Sequence, residues 1–198
     1  MSVTVDDRPM LAEQLGFTTV GQVLAHLKKE NRLVVHVLID GREPDLDRLG
    51  QIRQSPLNGH TIYIETAEPR QMALDVLAQV EKQLDECERL RRDAVELLQS
   101  NQSIKAMEKL SGCFSIWHHA EESVVKTARL LRIDLEKITA DEKPFTQILD
   151  AFAGHLRGVK TALEDRDFVG LTDILAYEMN GSASQWRAAI EAIRATIR

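Results

Sequence analysis

The stretch from Glu68 to Gln102 opens on Pro69 and then runs without another proline, and the next glycine is Gly112. Apolar residues at Ala73, Val76, Leu77, Val80, Leu84, Cys87, Leu90, Ala94, Leu97 and Leu98 recur every three or four positions. That spacing lays one continuous stripe along a helix. At the usual rise the helix is about 45 Å long. A small N-terminal module cannot cover such a length, so the second half needs further helices to pack on. The helix is therefore expected to join the two halves of the chain.

Upstream, the pattern alternates between strand and helix. Ser2 to Val5 alternates weakly and reads as a short edge strand. Thr18 and Thr19 precede Val20, Val23, Leu24 and Leu27, the spacing of a short capped helix ending near Asn31. LVVHVLID, Leu33 to Asp40, is β-branched and mostly apolar, which predicts a central strand with Val35, Val37 and Ile39 covered on both faces. Leu46, Leu49 and Ile52 place a one-sided helix over Asp45 to Gln54, before Ser55 and Pro56. Asn58-Gly59 marks a turn, and TIYIET, Thr61 to Thr66, alternates as a strand.

Downstream the pattern is purely helical. Ser103 caps a second stripe through Ile104, Met107, Leu110, Phe114, Trp117, Val124, Ala128, Leu131 and Leu135, with Ser111-Gly112 as its weak point. Asp141 to Pro144 supplies a connection. A third stripe follows at Phe145, Ile148, Leu149, Phe152, Leu156, Val159 and Leu163. The fourth comprises Phe168, Leu171, Leu175, Met179, Ala183, Trp186, Ile190, Ile193 and Ile197, with Gly181 bending it. Four long stripes with short connections predict a four-helix bundle. The expected fold class is α+β: a small α/β N-terminal module over residues 1–66, then a mainly α bundle over 67–198.

Composition narrows the function. A net charge of −6 repels phosphate backbones, and aromatic residues at 5% are too sparse for a platform that stacks bases. Neither nucleic acid nor an anionic membrane is the expected partner. No segment approaches the roughly 20 apolar residues of a membrane span, and MSVTVDDRPM has no basic region leading an apolar run. Cys87 and Cys113 fall inside predicted helices and read as small buried residues in a reducing compartment. These features together lead to an expected cytoplasmic location.

The densest polar group is His118, His119, Glu121 and Glu122. His118 with Glu122, and His119 with Glu122, have helical spacing for sharing a face, where an imidazole and a carboxylate can hold a metal. Di-iron bundles carry Glu-x-x-His on two helices; here the order is His-x-x-Glu and it falls on one helix, so a solvated face is the simpler reading and no metal is expected. In the register of Phe114, Trp117, Val124, Ala128 and Leu131, Glu121 falls on the apolar seam, and Glu178 stands at a similar boundary beside Leu175 and Met179. Pointing inward, the two would form a polar network with Tyr177, His118, Arg157 or Lys126. Cys113 lies five residues from His118, off a shared helix face, which argues against a nucleophile. Arg89, Arg91 and Arg92, among Asp85, Glu88, Asp93 and Glu96, read as a solvated face with Asp85–Arg89 and Glu88–Arg92 pairs. No phosphate-binding loop or cofactor motif is present.

The order of a TVGQVL helix, a strand ending IDG, an LNGH turn, a TIYIET strand and a helical half with DILAYE resembles a family of uncharacterised bacterial proteins. That resemblance implies a small α/β front and a helical back, and it matches Asp173, Leu175, Tyr177 and Glu178 without giving them a role. In general plan the back half is also similar to small helical secretion chaperones.

Without a nucleophile, a cofactor motif or a convergent acid/base pair, the expected function is a non-enzymatic adaptor or chaperone-like protein. Its partner would be another protein or a second copy of the chain, bound through the bundle. Tyr177, Glu178, Trp186 and Ile190 are the partner-binding candidates: a heptad stripe through Trp186, Ile190, Ile193 and Ile197 reads first as core, and the alternative is that a bend at Gly181 lets the last segment shift and bare a groove. The alternative is a bundle sensing a small ligand or metal through His118, Glu121 and Glu178.

Overall fold

A computed structural model describes residues 2–197, and the side chains of Leu46 and Leu49, expected on the apolar face of a short helix, lie outside the described ones. The class is α+β, with a small sheet-containing front followed by long helices. The chain divides into two compact units between Met72 and Ala73.

In the first unit β1 (Ser2–Val5), β2 (Arg8–Pro9), β3 (Leu33–Ile39) and β4 (Thr61–Ala67) form one sheet in the order β2-β1-β4-β3. β1 runs parallel to β4, and β3 antiparallel to it. Helix α1 (Val20–Lys29) starts where the Gln22 side chain accepts hydrogen bonds from the Thr18 and Thr19 N–H groups. α2 (Leu49–Gln54) follows a 3-10 turn at Leu46–Arg48. Val3, Val20, Val23, Leu27, Ile52, Leu57, Ile62 and Ile64 close one core.

Two strand expectations are corrected. β3 is an edge strand with Val35 47% exposed, whereas β4 is inner and buries Ile62 and Ile64. β1, expected at an edge, lies between β2 and β4. A β-bulge between Val34 and His36 interrupts the β3 register, one of the devices by which edge strands avoid open-ended pairing. Asp6 ties the front together: its carboxylate accepts from the Thr66 N–H at 2.7 Å, the Thr66 hydroxyl at 2.6 Å and Arg32 Nη2 at 3.0 Å.

The long helix is present as α3 (Pro69–Gln99), followed by α4 (Ser103–Leu131), α5 (Phe145–Glu164), α6 (Phe168–Asp173) and α7 (Ser182–Ile197). A hairpin of β5 (Thr139–Ala140) and β6 (Lys143–Pro144) leads into α5. α4 passes Ser111-Gly112 unbroken, and Gly112 instead leaves room for Leu90, whose Cδ1 would lie 3.2 Å from an added Cβ. The fourth stripe divides into α6, a π turn at Ile174–Glu178 and α7, with Gly181 at φ +93° before α7.

The core of this unit draws on all the long helices. On α3 the buried residues are Ala73, Leu77, Val80, Leu84, Cys87, Arg91, Ala94 and Leu98, a strict alternation of four and three. α4 buries Ala106, Leu110, Cys113, Trp117, Ala120 and Val124 in the same rhythm. Trp117 lies 4.2 Å from Phe152 and 5.4 Å from Trp186, ring centre to ring centre, in an aromatic layer linking α4, α5 and α7. Arg187 to Asp85 and Arg194 to Glu81 tie α7 antiparallel to α3.

Candidate functional site

The π turn is where the bundle departs from regular geometry. Met179 N–H donates to the Ile174 carbonyl, five residues back, at 2.9 Å. In an α-helix that N–H would serve Leu175, four residues back, so the turn frees the Leu175 carbonyl inside the bundle. Arg91 takes it: Nη1 donates to the Leu175 oxygen across 84 residues of chain. The same guanidinium donates through Nε and Nη2 to the Glu88 carboxylate at 3.2 and 2.9 Å, and Nη2 reaches Asn180 Oδ1 at 3.5 Å. Arg91 is 4% exposed. A buried charge of this kind is stable only when paired and hydrogen-bonded, and both conditions are met here.

The turn also sets which side chains face outward. Leu171, Leu175 and Met179 are fully buried and spaced by four. On a regular helix that spacing drifts by about 40° per step, and the wider π turn absorbs the drift. The exposed set Val169, Asp173 and Tyr177 has the same spacing on the outward side, with Val169 and Tyr177 each 75% exposed. Phe168, beside Val169, is 41% exposed. On the flank, His155 Nδ1 lies 3.3 Å from Glu178 Oε2. Gly158 on α5 admits Ile174, whose Cδ1 would stand 3.2 Å from a Cβ at that position.

The surface is acidic. Within residues 164–178, Glu164, Asp165, Asp167, Asp173 and Glu178 stand against Arg166, so five negative and one positive charge leave −4, and Lys160 of α5 offsets one of them by pairing with Glu164 at 3.7 Å. Asp167 caps α6, accepting from the Gly170 N–H at 2.8 Å.

The expected site residues disperse. His118, His119, Glu121 and Glu122 are all exposed on α4, and among the described residues no group of three or more His, Cys, Asp or Glu is placed to hold a metal. Glu122 pairs with Lys126 at 2.8 Å, and that hydrogen bond holds its carboxyl below the ordinary range. Glu121 is not on the seam: Trp117, Val124 and Ala128 are buried as expected, but Cys113 and Ala120 take the positions expected of Phe114 and Glu121. Glu178 is exposed and meets His155 rather than Glu121 or His118. Tyr177 is exposed, whereas Trp186 and Ile190 are buried in the core and offer no surface in this structure.

Arg91 also departs from its expected place, being buried on the seam of α3. It was expected on a solvated face with Glu88–Arg92 and Asp85–Arg89 pairs, but Glu88 pairs with Arg91, Asp85 with Arg187, and Arg89 with Glu86 and Asp93. The missed signal is the four-three alternation, in which Arg91 follows Cys87 by four and precedes Ala94 by three. His155 has a similar signal, three residues after Phe152 and four before Val159 on the buried face of α5.

A family described as a domain of unknown function, DUF8042, matches residues 75–189. That span contains Glu88, Arg91, His155, Val169 and the whole π turn. No curated protein and no solved structure matches the chain.

Proposed function

The chain belongs to the DUF8042 family, a domain of unknown function, and we propose that it is a non-enzymatic adaptor that binds a protein partner on the outward face of α6 and the π turn. The observation that carries this reading is the pairing of opposite faces. A buried Arg91 fixes the turn from within, and Val169 and Tyr177 stand exposed on the outside. π turns cluster at functional positions because an extra residue in a helix is otherwise a cost without return. Tyrosine is one of the residues that dominate binding hot spots, and a rigid support leaves little conformational entropy to lose on binding.

Charge selects the partner. Exposed apolar side chains at Phe168, Val169 and Tyr177, with Asp167, Asp173 and Glu178 among them, fit a basic amphipathic helix that sets its apolar side on Val169 and Tyr177 and its lysines or arginines on the carboxylates. A second copy would bring the same carboxylates together, so this face disfavours self-pairing. The sensing alternative has no comparable support: Glu178 is engaged by His155, and His118 and Glu121 face solvent on α4.

Site-directed photocrosslinking tests the assignment. A crosslinker at Tyr177 is expected to capture the partner, and one at Glu121, also exposed, is not. Capture from Glu121 and not from Tyr177 would move the binding surface to α4.

A further inference from the structure

The chain contains two cysteines, and the fold brings them together although 26 positions separate them. Cys87 of α3 and Cys113 of α4 are both fully buried, and their Sγ atoms lie 3.0 Å apart. Each occupies a seam position of its helix, so backbone packing holds the pair in register. A disulfide bond is about 2.04 Å long, so closing it needs roughly 1 Å of approach. From this geometry we infer that Cys87 and Cys113 form a reversible intrachain disulfide that staples α3 to α4, with a low-molecular-weight disulfide such as oxidised glutathione as oxidant.

The exchange balances without any further reactant. One cysteine, as thiolate, attacks a sulfur of oxidised glutathione and expels one glutathione thiolate. The second cysteine then attacks the mixed disulfide, forming the Cys87–Cys113 bond and expelling the other. Two protein thiols are oxidised, one glutathione disulfide is reduced to two thiols, and the protons end on glutathione or in solvent.

Burial makes the first step slow. The shared hydrogen bond with Cys113, with burial behind it, pushes the Cys87 thiol well above its ordinary range, so the reactive thiolate is scarce in the closed bundle. The attack therefore waits for a local opening of α3 from α4. Ring closure follows as the helices come back together, because their packing returns the second sulfur to the mixed disulfide. Since the chain has no third cysteine, a disulfide within one chain can only be this one. The inference is independent of the partner-binding reading and rests on different atoms.

The test uses the unmodified full chain under native conditions, incubated with oxidised glutathione and followed by intact mass after alkylation in denaturant. The expected product loses the mass of two hydrogens, resists alkylation, returns to two alkylated thiols after reduction, and migrates as a monomer. Its melting temperature should rise by roughly 5–10 °C over the reduced chain, as for a closed loop of this length. A persistent glutathione adduct, a disulfide between chains, two alkylated thiols after prolonged exposure, or a disulfide that lowers the melting temperature would overturn it.

Discussion

Arg91 on α3 donates a hydrogen bond to the carbonyl oxygen of Leu175, the group released when the π turn shifts the Met179 N–H back to Ile174. One guanidinium thus completes an irregular helix 84 positions away while its other nitrogens hold Glu88. The turn and the charge explain each other. Without the arginine, the freed carbonyl would be buried and unpaired; without the turn, the arginine would have only Glu88 and a long contact to Asn180.

Arg91→Met should therefore destabilise the second unit by about 2–4 kcal/mol, since it strands a buried carbonyl and leaves Glu88 only partly solvated. Chemical denaturation measures the loss. Arg91→Lys should recover less than half of it, because one ammonium cannot reproduce the fork that serves Glu88 and Leu175 together. Hydrogen exchange should speed up selectively between Leu175 and Met179. A uniform change across the bundle would mean that Arg91 supports packing in general and not this turn.

The first unit offers a contrast between edge and interior. Ile64→Asp places an unpaired charge in the inner strand, where Ile64 is fully buried, and should cost about 4 kcal/mol or more. Val35→Asp, on the half-exposed edge strand, should cost less than about 1 kcal/mol. Circular dichroism melts of the two variants check the ranking, and equal losses would contradict the strand order.

Acid should weaken the front through Asp6. The Thr66 hydroxyl above all, then the Thr66 N–H and Arg32, hold its carboxyl below the ordinary carboxylate range. A carboxylate lowered in the folded state contributes stability that is complete above the unfolded value of about 3.9. That contribution is lost as pH falls through the lower folded value. Because the group is largely solvent-exposed, the effect is modest: between about pH 5 and pH 3 the wild-type melting temperature should drop a few degrees more than that of Asp6→Asn. Parallel slopes would show that Asp6 titrates alike in both states.

Much of the fold is legible in the sequence because helical periodicity and turn residues act locally. The spacing along α3, the Asn58-Gly59 turn and the break at Gly181 all appear where local chemistry puts them. Strand order is not local: LVVHVLI has the same composition whether it lies inside a sheet or at its rim, and only the pairing of β4 with both β1 and β3 decides. On α4 the expected Trp117, Val124 and Ala128 are buried, but the small Cys113 and Ala120 close the seam where the pattern points to Phe114 and Glu121, which leaves Glu121 in solvent. Arg91 was legible by spacing yet obscured by its charge, since a charged residue is read as exposed unless its partner is known. That partner is a backbone carbonyl, which no side-chain pattern reports. The π turn hides for a related reason, because Leu171, Leu175 and Met179 at intervals of four also resemble an ordinary helical stripe.

The central claim is that the face carrying Val169 and Tyr177 binds a partner, and titration tests it most directly. The partner captured from Tyr177, once purified, is titrated against the wild-type chain and against a Val169→Asp, Tyr177→Asp double variant, at low and moderate salt. Both side chains are exposed, so the variant should melt within about 0.5 kcal/mol of wild type. Its affinity should fall at least about 100-fold, the loss of one to two hot-spot contacts, and wild-type binding should weaken as salt screens the acidic rim. An unchanged affinity in the folded double variant would contradict the account.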